Sequence, residues 1–80
     1  MDIYVGNISY TTTEAELEAL FAEYGAVKTV RFIRDYDTKR FKGFGFVTMD
    51  NQADGTVAIN ELNGKEFGGR QLKVSSAKRG

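Results

Sequence analysis

Lys42-Gly43-Phe44-Gly45-Phe46-Val47-Thr48-Met49 decides the reading of this 80-residue chain. The stretch holds a cation, two glycines and two aromatic rings. The rings alternate, so on a pleated strand both project from the same face. Near the start, Ile3-Tyr4-Val5-Gly6-Asn7-Ile8 offers a second strand with one ring, Tyr4, flanked by core-type residues. Side by side, two such strands make a platform of three aromatic faces with a positive charge at its edge. Flat bases of single-stranded nucleic acid stack on surfaces of that kind.

Outward from these strands the chain divides cleanly. The first strand runs about from Ile3 to Val5. Thr13 followed three residues later by Glu16 is a capping-box signature. Leu17, Leu20, Phe21 and Tyr24 then recur with the spacing of an amphipathic helix, and Gly25 stands where it would stop. Val27 to Ile33 reads as a strand, with Val30 and Phe32 on one face and Thr29, Arg31 and Ile33 on the other. The polar stretch Arg34 to Phe41 joins it to the motif strand as a long hairpin. Asn51 caps a second helix carrying Gly55, Ala58, Ile59 and Leu62, which Asn63-Gly64 ends. After Gly68-Gly69, Leu72 and Val74 alternate with Gln71, Lys73 and Ser75 in a last strand. The order βαββαβ implies an α+β, ferredoxin-like fold: a four-stranded antiparallel sheet with both helices on one face.

Composition narrows the chemistry. One small domain fits this length, and a hydrophobic fraction of 41% supports a packed core. There is no cysteine and no histidine, which removes disulfides, thiolate metal sites and the usual general base. No run is long enough to span a membrane, and no signal peptide is evident. The formal charge is zero, with 11 basic and 11 acidic residues, but the signs are segregated. Acid lies on the first predicted helix, at Glu14, Glu16, Glu18 and Glu23. Base gathers at Lys28, Arg31, Arg34, Lys39, Arg40 and Lys42, and again at Lys65, Arg70, Lys73, Lys78 and Arg79. That local asymmetry, not the net charge, sets the field a ligand meets.

Two helices cover only one face of a four-stranded sheet, so the other meets water or a partner. Ile3 and Val5 suit the core, leaving Tyr4 on the open face beside Arg31, Gln71, Lys73 and Ser75. On the third strand, alternation alone leaves the choice open, because Gly45, Val47 and Met49 are no more polar than Phe44 and Phe46.

These segments together resemble the paired ribonucleoprotein motifs of the RNA recognition motif (RRM) domain. The longer consensus is matched at seven of its eight positions, counting the free one; Met49 stands where an aromatic is expected. The resemblance covers nearly the whole chain, with a domain over residues 1–77 and a tail at 78–80. It implies that the two motif strands lie adjacent at the sheet's centre, with Phe44 and Phe46 on the open face beside Tyr4. It further implies that Tyr4 and Phe46 stack on successive bases, that Phe44 meets a sugar or sits between nucleotides, and that Lys42 pairs with a phosphate. Arg31, Gln71 and Lys73 flank the platform, either as phosphate and base-edge contacts or as ordinary solvated strand residues. Asn7 matches a polar family position and equally suits a turn. Arg40, in a basic hairpin expected to be mobile, is placed to clamp a strand; the family often has a glycine near Lys39 and a small or polar residue at Phe41. Lys78-Arg79 resembles the extensions that lengthen such sites. The expected partner is single-stranded RNA, with single-stranded DNA left open. No cofactor, metal, membrane or small-molecule substrate is expected, and the protein is expected to be monomeric and cytoplasmic, or nuclear if eukaryotic. Among relatives the chain is similar to small single-RRM proteins of bacteria, including the cyanobacterial type, which implies RNA metabolism or RNA chaperoning.

Two other classes compete. Small phosphatases share the βαββαβ fold, but their anion cradle needs a cation in the first connection, and Gly6 to Thr13 contains none. Gly43-Phe44-Gly45 lacks the third glycine and following helix of a nucleotide loop. Some RRM relatives instead bind peptides through an acidic first helix and an Arg-x-Phe element, to which Lys65-Glu66-Phe67 is a near miss. Those relatives usually lose the sheet aromatics, and here all three remain.

Overall fold

A computed structural model describes residues 1–77. Strand β1 is Asp2–Gly6, helix α1 Glu14–Ala22, β2 Val27–Arg34, β3 Phe41–Met49 and α2 Gln52–Leu62. Three short strands follow, β4 (Glu66–Phe67), β5 (Arg70–Gln71) and β6 (Lys73–Ser76). The main sheet has four antiparallel strands in the order β2-β3-β1-β6, so the two motif strands are its central pair.

Each helix starts where local chemistry demands. The Thr13 hydroxyl accepts from the Glu16 amide at 3.1 Å while the Glu16 carboxylate accepts from the Thr13 amide at 2.9 Å, a closed capping box. The Asn51 side chain accepts from the Ala53 and Asp54 amides and so caps α2. Leu17, Leu20 and Phe21 of α1 and Ala58 and Leu62 of α2 join one core with Ile3 and Val5 of β1, Val47 and Met49 of β3, and Val74 of β6. Both helices therefore cover the face to which these strand residues point. Burying a side chain such as Phe21 or Ile3 contributes about 1.5–3 kcal/mol. Met49 is wholly buried, so the departure from the aromatic consensus is accommodated within the core; a flexible thioether fits irregular space. Gly55 is buried too, and a Cβ there would displace the outer part of the flexible Met1 side chain.

Two features differ from the sequence expectation. First, Gln71 is not in the last strand. Glu66–Phe67 and Arg70–Gln71 form a separate hairpin across Gly68-Gly69, both at positive φ. Leu72 then turns into the core before β6 begins at Lys73. Its amide donates to the Lys65 carbonyl and its carbonyl accepts from Gly64, which detaches this hairpin from the main sheet. Second, the hairpin loop after β2 is a hydrogen-bonded turn. The Asp35 carboxylate accepts from the Asp37 and Thr38 amides at 2.9 and 3.0 Å, and the Asp35 amide donates to the Arg40 carbonyl at 2.7 Å. Lys39 takes φ 63 there, a left-handed conformation that suits glycine, the residue the resemblance led one to expect nearby.

Candidate nucleic-acid interface

The register fixes which side chains share the open face. Ile3 lies opposite Val47 and Tyr4 opposite Phe46. Because the first pair is in the core, the second points away from it. Phe44, two residues from Phe46, shares that face. The Tyr4 centroid lies 5.9 Å from that of Phe44 and 6.0 Å from that of Phe46, and the two phenylalanines are 6.4 Å apart. All three are half-exposed, unlike the inward neighbours Val5 and Val47, which are buried. The ambiguity of β3 is thereby resolved: Gly45, Val47 and Met49 face the helices.

Glycines make the platform possible. A Cβ at Gly6 would overlap the Tyr4 ring, with ring carbons 2.9 Å away, so glycine leaves room for that ring along the strand. A Cβ at Gly45 would collide with the Arg31 carbonyl oxygen, so glycine lets β2 and β3 approach.

Polar residues border the rings. Arg31 is paired with Phe46 across β2, and Ser75 with Tyr4 across β6; Lys73 pairs with Gly6. Arg31, Lys73 and Ser75 are exposed. Lys42 is exposed at the hairpin end of β3, and Arg40 is exposed in the loop beyond it. Asn7 has a structural occupation: at φ 56 it turns the chain, and its side-chain amide donates to the Gln71 carbonyl at 2.7 Å. That bond ties the first loop to the small hairpin, which brings Gln71 to the end of β1 without placing it in the sheet. Lys78 lies outside the described residues.

The acidic helix is partly committed. Glu14 accepts from the Phe32 amide at 3.1 Å and Glu16 closes the capping box. Sequence reasoning missed a second aromatic group at the hairpin end of the sheet. Phe32 and Phe41 stack at 4.3 Å, and the exposed Tyr10 meets Phe41 edge-on at 5.9 Å. The available signal was Tyr10 itself, an aromatic ring in the otherwise polar stretch Ser9 to Thr13. Among the described residues, no cluster of His, Cys, Asp or Glu has the arrangement of a metal site.

With this geometry established, comparison with known proteins is direct. The RNA recognition motif model matches residues 3–73. The chain belongs to the RNA recognition motif family. It is 54% identical over 78 residues to the putative RNA-binding protein RbpA of Synechocystis sp., covering 98% of this chain and 77% of the relative. It is 48% identical to a 29 kDa chloroplastic ribonucleoprotein of Arabidopsis thaliana, covering 94% of this chain and 22% of that protein. Among solved structures, the crystal structure of the RNA binding protein PG1 superposes with a TM-score of 0.93 at 46% identity, covering 100% of this chain and 98% of that one. The Sex-lethal protein in complex with RNA gives 0.91 at 37% identity, covering 99% of this chain and 47% of the other.

Proposed function

We propose that this protein binds short single-stranded RNA on the open face of its sheet, in RNA metabolism or RNA chaperoning. The carrying observation is the uncovered triangle of Tyr4, Phe44 and Phe46, with centroids 5.9 to 6.4 Å apart on two adjoining strands. Bases stack on Tyr4 and Phe46, each stack contributing about 1–3 kcal/mol. Phe44 meets a sugar or lies between nucleotides. Lys42 takes a phosphate, and Arg31 and Lys73 flank the path. Arg40 approaches from the hairpin; Asn7 and Gln71 border the exit of β1 through their mutual bond. The Sex-lethal complex and the structure of the Rna15 RRM with bound RNA, 29% identical to this chain, support RNA as the ligand.

The proposal is a binding role, exercised by a monomer in the cytoplasm. Among the described residues no helix is long and apolar enough to cross a membrane. Nothing favours the peptide-binding reading, and two of the helix acids it would use are already engaged.

Fluorescence anisotropy with labelled single-stranded RNA, the matching single-stranded DNA and duplex RNA tests the proposal. Single-stranded RNA should bind, and duplex RNA, whose bases are already stacked, should not. Equal binding of duplex and single strand would point to charge alone and overturn the stacking mechanism. The DNA arm reads how much the 2′-hydroxyl contributes.

A further inference from the structure

Asn63 closes α2 and fastens the last strand. Its backbone amide donates to the Ile59 carbonyl at 3.0 Å, and its side-chain oxygen accepts from the Val74 amide, also at 3.0 Å. Strand β6 is an edge of the sheet, so this side chain stands where a further strand would otherwise pair. The strand it holds turns Val74 into the core, and sets Lys73 and Ser75 opposite Gly6 and Tyr4.

Gly64 follows Asn63, and both residues are exposed. An asparagine carboxamide and the next backbone nitrogen can close a ring. The nitrogen, once deprotonated, attacks the carboxamide carbon; ammonia leaves, and a cyclic imide joins the two residues. Water then opens the imide on either side of the nitrogen. One opening gives aspartate, and the other gives isoaspartate, with the main chain routed through the former side chain. Bulk on the following residue obstructs the attack. Asn7, Asn51 and Asn60 precede Ile8, Gln52 and Glu61, whereas Asn63 precedes a glycine. A Cβ at Gly64 would have nothing within 4 Å, so no packed neighbour screens that turn.

In the folded chain, two bonds hold the reacting groups apart. The carboxamide is turned to Val74, and the Gly64 amide donates to the Leu72 carbonyl at 2.8 Å. Ring closure needs both to break, one to swing the carboxamide carbon toward the nitrogen and one to release the proton. We propose that Asn63 is a deamidation site latched by β6, reacting at the rate at which the connection from α2 to β6 opens. The two products differ in what they do to the strand. Aspartate keeps the main-chain spacing and an oxygen for Val74, but sets a negative charge at the C-terminal end of α2, where the helix dipole disfavours it. Isoaspartate lengthens the main chain by one carbon and leaves only a carboxylate directly on Cα, so β6 loses its outer anchor. This chemistry stands apart from the reading of the sheet face and requires no RNA.

The full chain is held in mildly alkaline buffer, folded or unfolded in guanidinium chloride, and its peptides are mapped by mass spectrometry over time. The amide-to-acid mass gain should appear at Asn63 as two products, well ahead of Asn7, Asn51 and Asn60, and roughly tenfold or more slowly in the folded chain. No gain at Asn63 in the unfolded chain, or equal gain at all the asparagines, overturns the site. Equal rates in the folded and unfolded chain overturn the latch. Amide hydrogen exchange on the separated products reads the anchor. Val74 and Ser75 should exchange faster in the isoaspartate form than in the parent or the aspartate form. Unchanged exchange in the isoaspartate form would overturn the anchoring role of Asn63.

Discussion

A methyl group at position 45 would strike the Arg31 carbonyl oxygen and lie 3.1 Å from the Phe32 Cα, so one hydrogen atom decides how closely β2 and β3 pair. Gly45→Ala should therefore lower stability by about 1–3 kcal/mol, read as a drop in thermal midpoint. Phe46→Ala has the opposite character. Its ring is half-exposed on the face away from the core, so the variant should keep its thermal midpoint while RNA affinity falls roughly fivefold to a hundredfold. An unfolded Phe46→Ala would show that the ring supports the core instead. Lys42→Ala should reduce the slope of log affinity against log salt by about 0.7, the release of one counterion from a single strand. An unchanged slope would remove Lys42 from the phosphate path. Such distinctions were partly legible beforehand. The alternation of Phe44 and Phe46 is plain in the sequence, but their direction is not, because their strand neighbours are equally apolar. Pairing of Tyr4 with Phe46 beside the buried pair Ile3 and Val47 supplies what alternation lacks.

At the scale of elements, local signals served well where a single side chain closes a local ring of hydrogen bonds. Thr13 with Glu16, and Asn51, cap the two helices as their spacing requires. Thr13→Ala should destabilise the fold by about 0.5–2 kcal/mol, measured by denaturant unfolding. The segment after α2 was less legible. Gly68-Gly69 marked a turn, but strands of two residues carry too little pattern to separate them from the strand that follows. The break also involves the bond from Asn7 to Gln71, 64 residues apart in the chain, which no local window contains. The β2–β3 loop allows a pH test. The Thr38 amide, and then that of Asp37, donate to the ionised Asp35 carboxylate and hold its pKa below the ordinary 3.8. A depressed folded pKa gives order that is present above pH 3.8 and lost as pH falls through the lower folded value. The Asp37 and Thr38 amide resonances should shift in that acid window and not between pH 5 and 8, where an amide titration follows them directly. Movement in the neutral range would contradict the assigned bonds.

Across the whole molecule, zero net charge conceals a division of labour. Acid on α1 caps a helix and fastens it to β2, through Glu16 and Glu14, whereas base collects around the β2–β3 hairpin and along the outer strands. Segregation of charge was readable from the sequence, as was the platform of three rings. The second aromatic group was not, because Tyr10 and Phe41 lie far apart in the chain and meet only when the first loop folds onto β3. The most direct test of the central claim is an amide NMR titration with a pool of short random-sequence single-stranded RNA. Binding on the open sheet predicts shifts centred on Tyr4, Arg31, Phe44, Phe46 and Lys73, with the outward residues of α1 and α2 unmoved. A silent sheet, or shifts confined to Glu18 on α1 and Glu23 at its C-terminal cap, would contradict it.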